Sequence, residues 1–125
     1  MNITGARVYV PAKDFAASQR YYRALGFTLT PGFGDTVDCT LGELRFRLQD
    51  YYVADWAGNF MFVVATDDAR GWYARAEELI ASGEHPGIGA KPPEAVEDDL
   101  VTHLVDPAGV LLVFVQSGGA AAPGS

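Results

Sequence analysis

The residues that most often carry enzyme chemistry are few in this sequence. It contains two histidines, His85 and His103. They are far apart along the chain, and neither has a carboxylate at the short spacing typical of metal-binding motifs. His103 lies in an alternating stretch that predicts a partly buried strand residue with one hydrogen bond, and a catalytic role is the alternative. His85 precedes Pro86 in a segment rich in proline and glycine, which predicts an exposed loop position.

Nucleophilic catalysis also lacks a clear candidate. The single cysteine, Cys39, alternates with Val37 and Leu41, a pattern that predicts a buried structural thiol. A lone cysteine excludes an internal disulfide framework and a zinc site built from several cysteines. No serine lies in a Gly-x-Ser-x-Gly turn.

The carboxylates have simpler explanations than catalysis. Asp67 and Asp68 are adjacent, but Asp68 is well placed to cap a helix. The acidic residues of the segment 94–99 are typical of a solvated rim, and attraction of a basic ligand is the alternative. Chemistry based on a carboxylate pair is therefore not indicated.

The chain contains an internal repeat, and the repeated strands and helices are the elements that would position any functional residues. Residues 7–14 form a predicted strand that leads into a helix, and residues 61–68 have the same pattern. Aligning Asp14 with Asp68 places the two strands and the two helices in register. Each aspartate is a predicted N-cap, and the helices are expected to end at Gly26 and Gly83.

The remaining strands complete two βαβββ modules, an α+β arrangement. In the first module the sequence predicts strands at residues 5–12, 27–29, 36–41 and 44–49. In the second it predicts strands at 59–65, 99–105 and 110–116, with a weak strand in the loop after the second helix. We expect one domain over residues 1–116, made of modules at about 5–50 and 59–116, an aromatic connection at 51–58, and a flexible tail at 117–125.

The last strands of the modules also match each other. Residues 42–49 align with residues 109–116 through shared glycine, leucine and glutamine positions. In residues 44–48 leucine or phenylalanine alternates strictly with Arg45 and Arg47, so one face is apolar and the other carries two arginines. The pattern leaves open which of these faces lines a cleft.

Composition and charge limit the function classes. The chain has 125 residues, 49% of them hydrophobic, and a formal net charge of −7. This charge argues against nucleic-acid binding, which depends on lysine and arginine, and it favours a cationic or neutral ligand. The sequence has no recognisable signal peptide and no long apolar run, so we expect a cytoplasmic protein without membrane contact.

Three segments together resemble a known family. They are residues 14–18 (DFAAS), residues 21–27 (YYRALGF) and residues 106–109 (DPAG). In this combination the chain resembles the glyoxalase, bleomycin-resistance and extradiol-dioxygenase family, the vicinal oxygen chelate superfamily, over nearly all of residues 7–116. The resemblance implies two tandem βαβββ modules that form a cup-shaped mixed sheet with helices on the outside.

The resemblance also implies where a metal would lie in catalytic members. Their ligands, histidines and carboxylates, come from the first and last strands of each module. Carried over by position, the four ligand sites correspond to Arg7, Phe46, Met61 and Val113 in this chain. None of these is a suitable ligand for a hard metal ion, so we expect no metal and no cofactor.

A cup without a metal predicts a ligand-binding surface with an apolar and aromatic lining. Flat aromatic side chains bind planar ligands by stacking and dispersion, and a plain hydrophobic core is the alternative interpretation. Trp72, on the helix stripe, is expected in the core. The candidate ligand-binding residues are Arg7, Tyr9, Phe46, Leu48, Tyr51, Tyr52, Trp56, Asn59, Met61, Val63, His103, Leu111 and Val113.

Without metal ligands, the chain resembles the antibiotic-sequestering branch of the family, and this resemblance implies a metal-free protein that sequesters an antibiotic or another bulky natural product. The resemblance implies a homodimer whose two clefts, built from both chains, hold a bulky, partly planar natural product of the bleomycin, mitomycin or enediyne type. One alternative is an enzyme of the same superfamily, a lyase, isomerase, thiol transferase or dioxygenase with an atypical active site. The other is a small-molecule sensor without a resistance role.

Overall fold

A computed structural model describes residues 1–121. The secondary structure follows the βαβββ order twice, with one additional short helix between the modules, and it confirms the α+β expectation. The elements of the first module are β1 (Tyr9–Pro11), α1 (Phe15–Leu25), β2 (Thr28–Pro31), β3 (Val37–Leu41) and β4 (Leu44–Gln49). The connecting helix is α2 (Ala54–Asn59), and the second module contains β5 (Met61–Ala65), α3 (Ala69–Ser82), β6 (Gly89–Val96), β7 (Asp99–Val105) and β8 (Leu111–Gln116).

Both long helices begin and end where their sequence signals predict. Asp14 caps α1 by accepting a hydrogen bond from the Ala17 amide at 3.0 Å, and Asp68 caps α3 through the Gly71 amide at 2.9 Å. Gly26 and Gly83 end the helices in the left-handed conformation. Neither these helices nor any other in residues 1–121 is both long and apolar enough to cross a membrane.

The strands form two mixed sheets of four strands each. The first has the order β1-β4-β3-β2 and the second has the order β5-β8-β7-β6. In each sheet the first strand of the module pairs in parallel with the last, and the other pairs are antiparallel. β1 and β5 are therefore edge strands at equivalent positions of the two sheets.

One hydrophobic core joins the two modules. It contains Tyr22 and Leu25 of α1, Phe46 of β4 and Phe114 of β8 among its buried members. The rings of Phe46 in the first sheet and Phe62 in the second lie 5.1 Å apart. Each sheet therefore packs one face into a shared interior, and its other face points away from that interior.

Several boundaries differ from the sequence-based expectation. β1 covers three residues, and the preceding residues 1–8 are exposed. β6 is an eight-residue strand in a segment that the sequence predicted to be mainly a loop, and its pairing with β7 is irregular between Lys91 and Glu94, on either side of Pro92 and Pro93. An edge strand tolerates proline because the missing amide faces outward or falls in a bulge.

The connection and the tail also contain short helices. α2 occupies most of the predicted aromatic connection. A 3₁₀ turn at Gly119–Ala121 packs beside β7, and Gly119 is buried there. Residues 122–125 of the predicted flexible tail lie outside the described part of the chain.

Candidate functional site

The outward face of the first sheet is polar and carries a linked set of charged side chains. We call it the polar face; its members are Arg7, Tyr9, Asp38, Arg45 and Arg47. Tyr9, Arg47 and Asp38 lie side by side because β1, β4 and β3 pair in that register. Arg47 donates two hydrogen bonds to Asp38, from Nε to Oδ1 at 2.7 Å and from Nη2 to Oδ2 at 3.1 Å. This two-point geometry fixes the guanidinium plane.

Two further residues extend the set. The Arg7 Nε lies 3.9 Å from Asp38 Oδ2, and the Tyr9 ring lies 5.7 Å from the guanidinium carbon of Arg47. The hydrogen bond from Arg47, and the nearby charges of Arg47 and Arg7, hold the pKa of Asp38 below its ordinary value despite partial desolvation. The same hydrogen bond, with a smaller contribution from Tyr9, raises the pKa of Arg47 further above its usual range. The ion pair therefore remains charged at neutral pH.

The outward face of the second sheet is largely apolar, and it is open to solvent along β5, whereas Val113 of β8 is buried. We call it the apolar face; its members are Met61, Val63, His103, Val105, Leu111 and Val113. The strand register places Met61 beside Leu111 and Val63 beside Val113, and on the other side of Val113 it places His103. Met61 is 55% exposed and Val63 is 71% exposed, which is unusual for large apolar side chains on a sheet.

The aromatic residues of the connection are also exposed. Tyr51 and Trp56 contact each other edge to face, with ring centroids 6.3 Å apart, and the Lys13 ammonium lies 5.7 Å from the Tyr52 ring centroid. The connection is tied to β1, since the Ala12 amide donates to the Tyr51 carbonyl at 3.1 Å. These aromatic rings therefore lie at the end of the strand that carries Tyr9.

Three of the thirteen candidate residues occupy other positions. Phe46 and Leu48 are completely buried in the core, on the opposite face of β4 from Arg47. Asn59 lies at the end of α2, where its Nδ2 donates to the Asp55 carbonyl at 2.8 Å. The structure therefore places Phe46 and Leu48 in the core instead of on a cup surface, and it places Asn59 in a helix instead of the predicted strand.

A one-residue slip in the repeat alignment explains the first two errors. The sequence aligned Leu48 with Val115, but the equivalent strand pairs are Val10 with Leu48 and Val64 with Phe114. Because side chains alternate along a strand, a shift of one residue exchanges its two faces. The correct equivalents of Val113 and Phe114 are Arg47 and Leu48.

The corrected alignment of β4 with β8 changes one of the four positions at which the resemblance places a metal ligand. Arg47 replaces Phe46, so the four positions are occupied by Arg7, Arg47, Met61 and Val113. Two fixed positive charges, a thioether and an isopropyl group do not fit the donor set of a hard divalent metal. Across residues 1–121 no three His, Cys, Asp or Glu side chains come together in a metal-binding arrangement.

A crevice lies between the modules and borders the apolar face at Val63. It has a volume of about 440 Å³ and runs from the β3–β4 turn to the end of β5. Its apolar walls include Phe27, Leu44, Trp72 and Phe114. Trp72 stacks on Phe114 at 4.6 Å and donates from Nε1 to Thr66, consistent with its predicted place in the core.

Sequence reasoning missed the central residues of the polar face. Arg45 and Arg47 were visible in the alternation of β4, and the face that they occupy needed only the parallel pairing with β1. Asp38 had no distinctive signal, because its role depends on the antiparallel pairing of β3 with β4. Cys39, next to it, is buried as predicted, and burial raises the pKa of its thiol to about 12.

Comparison with known proteins identifies similar structures but no similar sequence. No protein-family model and no curated protein matches the chain. A bleomycin resistance determinant encoded on the transposon Tn5 matches with a TM-score of 0.72 and 21% identity, over 92% of this chain and 98% of the other. TnmS3, an antibiotic binding protein from Streptomyces sp. CB03234, matches with a TM-score of 0.68 and 21% identity, over 93% and 99% of the respective chains.

An enzyme has a related structure as well. Lactoylglutathione lyase from Agrobacterium tumefaciens matches with a TM-score of 0.65 and 16% identity, over 92% of this chain and 95% of the enzyme. These similarities show that the chain has the vicinal oxygen chelate fold, as the sequence resemblance implied. At such identities they show the fold alone.

Proposed function

We propose that this protein binds and sequesters a bulky, partly planar small molecule, such as an antibiotic of the bleomycin, mitomycin or enediyne type. The observation that carries the proposal is the apolar face, where Met61 and Val63 are more than half exposed. A large exposed apolar patch on a folded protein marks a binding surface. A bleomycin resistance determinant and an antibiotic binding protein among the similar structures support small molecules as the ligand class.

The ligand cleft in this proposal combines both outward faces. The apolar face covers the planar body of the ligand, and the polar face orients its polar substituents. Tyr51, Tyr52 and Trp56 lie next to β1 with exposed rings that are able to stack on an aromatic ligand. His103 contributes one polar group beside Val113.

A homodimer brings the two faces together. Within one chain the core faces of the sheets meet, so the polar and apolar faces point away from the shared interior. β1 and β5 are both edge strands, and edge strands offer unpaired backbone groups to a second chain. Pairing of two copies, with each first sheet facing the second sheet of its partner, forms two equivalent clefts and covers the exposed apolar side chains.

The alternative is an enzyme of the same superfamily with an atypical active site, and the similarity to lactoylglutathione lyase favours it. The positions at which a metal is expected hold Arg7, Arg47, Met61 and Val113, which do not suit one. We therefore propose a binding protein that does not alter its ligand.

The binding test uses tryptophan emission. The chain has two tryptophans, so a Trp72→Phe variant leaves the exposed Trp56 as the only reporter. Titration with bleomycin, mitomycin C or an anthraquinone enediyne should change its emission saturably, with one ligand bound per chain. Recovery of an unchanged ligand, checked by mass spectrometry, supports sequestration; a converted product supports the enzyme.

A charge substitution on the apolar face tests the location of the binding site, and a charge substitution elsewhere serves as its control. Val63→Asp should weaken binding by roughly tenfold or more, because burying a valine side chain contributes about 1.5–3 kcal/mol and a buried carboxylate opposes it. The control is Ile80→Glu on α3, which changes another exposed apolar residue, 44% exposed and outside both faces. Equal losses from the two variants would contradict a site on the apolar face.

The proposed dimer is tested with the same two variants. Light scattering coupled to gel filtration should give a dimer for the native chain and for Ile80→Glu, and a shift toward monomer for Val63→Asp. A monomeric native chain that still binds antibiotic would refute the two-chain cleft. Cells that express a tightly binding protein but gain no protection would indicate a sensor.

A further inference from the structure

The polar face is locally basic in a protein that is acidic overall. Three arginines, Arg7, Arg45 and Arg47, share this face with the carboxylate of Asp38. They leave a local excess of positive charge, although the formal net charge of the chain is −7. The overall acidic balance, which favoured a cationic ligand at the level of the sequence, therefore does not describe this surface.

Asp38 holds the Arg47 side chain in place but accepts only some of the hydrogen bonds that its guanidinium is able to donate. A guanidinium has five N–H groups, and Asp38 accepts one from Nε and one from Nη2 of Arg47. Within residues 1–121 the side chain of Arg45 makes neither a hydrogen bond nor an ion pair, and the guanidinium of Arg47 has further N–H groups beyond the two that Asp38 accepts, with the Tyr9 ring beside it. Arg45 is exposed on the same face of β4 as Arg47. The polar face thus presents fixed cationic donors toward the space where the ligand is proposed to lie.

The surface that faces the polar face in the proposed dimer is mainly apolar, through Met61, Val63, Leu111 and Val113. Asp99 shares the outward face of β7 with His103 but lies at the far end of that strand, where it accepts a hydrogen bond from the Gly118 amide at 3.1 Å. At the outer strand, Lys91 pairs with Glu94 at 3.6 Å. A ligand between the faces therefore meets a hydrophobic wall on one side and guanidinium groups on the other.

We propose that the site selects anionic aromatic molecules: a flat apolar ring system that carries a carboxylate or an acidic phenol. The ring lies on the apolar face and the anionic oxygens accept hydrogen bonds from Arg47 and Arg45. Because Asp38 and the Tyr9 ring hold Arg47 in place, little side-chain freedom is lost on binding. This inference rests on the proposed function and defines the ligand charge for the same site.

Three probes with one ring system test the sign of the ligand charge: 9-anthracenecarboxylate, the neutral 9-anthracenecarboxamide, and protonated 9-(aminomethyl)anthracene. Binding is followed by anthracene fluorescence and by calorimetry. The carboxylate should bind about tenfold more tightly than the amide, because hydrogen bonds between charged partners are stronger than those to a neutral group, and the ammonium probe should bind most weakly. Added salt should weaken the binding of the carboxylate more than that of the amide.

Variants locate the effect on the polar face. Arg45→Gln and Arg47→Gln should each reduce carboxylate affinity by roughly tenfold and change amide affinity little. Arg20→Gln, which removes an exposed arginine from α1, is the matched control and should bind like the native chain. Because Arg45 has no partner within residues 1–121, Arg45→Gln tests the proposal even if Arg47→Gln folds poorly.

The outcomes separate this inference from the proposed function. Equal binding of all three probes, tighter binding of the ammonium probe, or an unchanged charge preference in both arginine variants overturns the inference and leaves small-molecule binding intact. Failure of all three probes and of the antibiotics to bind overturns the proposed function, and the inference with it.

Discussion

A buried side-chain hydrogen bond links two residues that are distant in the sequence. Tyr22 of α1 donates from its hydroxyl to Asp106 Oδ2 at 2.6 Å, across the boundary between the modules. The other oxygen of Asp106 accepts from the amides of Ala108 and Val110, at 2.8 and 2.9 Å. Desolvation, and after it the charge of Asp106, raise the pKa of Tyr22, so the hydroxyl keeps its proton and remains a donor.

Removal of the Tyr22 hydroxyl should destabilise the fold. We expect Tyr22→Phe to lower the free energy of unfolding by about 1–3 kcal/mol, because a buried carboxylate loses one of its three donors. Urea unfolding followed by circular dichroism measures the change. Tyr51→Phe, at an exposed position, is the control and should be within about 0.5 kcal/mol of the native chain. A Tyr22→Phe variant as stable as the native chain would show that the hydroxyl contributes nothing.

The lowered pKa of Asp38 predicts an acid-side loss of stability. A carboxyl whose pKa is lower in the folded chain than its ordinary value of 3.8 stabilises the fold above that value, and this contribution disappears as the pH falls through the lowered pKa. The melting temperature of the native chain should therefore fall more between pH 5 and pH 2 than that of Asp38→Asn. Identical pH profiles for the two proteins would contradict the ion pair with Arg47.

At the scale of the elements, local signals determine the two long helices. Aspartate side chains cap their first turns, and Gly26 and Gly83 adopt positive φ at their ends, 112° and 71° respectively. These interactions lie within a few residues of each other, so the sequence alone predicted the bounds of α1 and α3. The strands depend on pairing with distant segments, and their bounds were predicted less well.

Two glycine-to-alanine substitutions compare a helix end, Gly26, with a position inside a helix, Gly58. Gly26→Ala should lower the free energy of unfolding by about 1 kcal/mol or more, because φ is 112° there and an added Cβ would lie 3.1 Å from Arg75 Nη1. Gly58→Ala should be neutral or stabilising by up to about 1 kcal/mol, since Gly58 lies inside α2 and a Cβ there meets no atom within 4 Å. Thermal unfolding compares the two, and a more stable Gly26→Ala would contradict the assigned helix end.

At the scale of the whole molecule, the two modules are joined by buried contacts. The Phe46 and Phe62 rings meet across the boundary, Tyr22 bonds to Asp106, and Arg75 donates to the Leu25 carbonyl at 2.7 Å. Separation of the modules would expose the aromatic core and leave buried polar groups without partners. We therefore expect the two modules to behave as one structural unit.

This shared core predicts a single unfolding transition. Trp72 reports on the second module in a Trp56→Phe variant, and far-ultraviolet circular dichroism reports on both. The two signals should give the same urea midpoint, as expected for a two-state domain. Separate midpoints would show that the modules unfold independently and would contradict the shared core.

The sequence by itself determined the two βαβββ modules, the helix ends and the buried cysteine, because these depend on residue type and on short-range periodicity. Only the tertiary structure decided which face of β4 points outward, since a one-residue change in strand register exchanges the faces. That decision placed Phe46 in the core and Arg47 beside Asp38 and Tyr9. The charge of the candidate site is set by the register of pairing between distant strands, which short-range patterns do not encode.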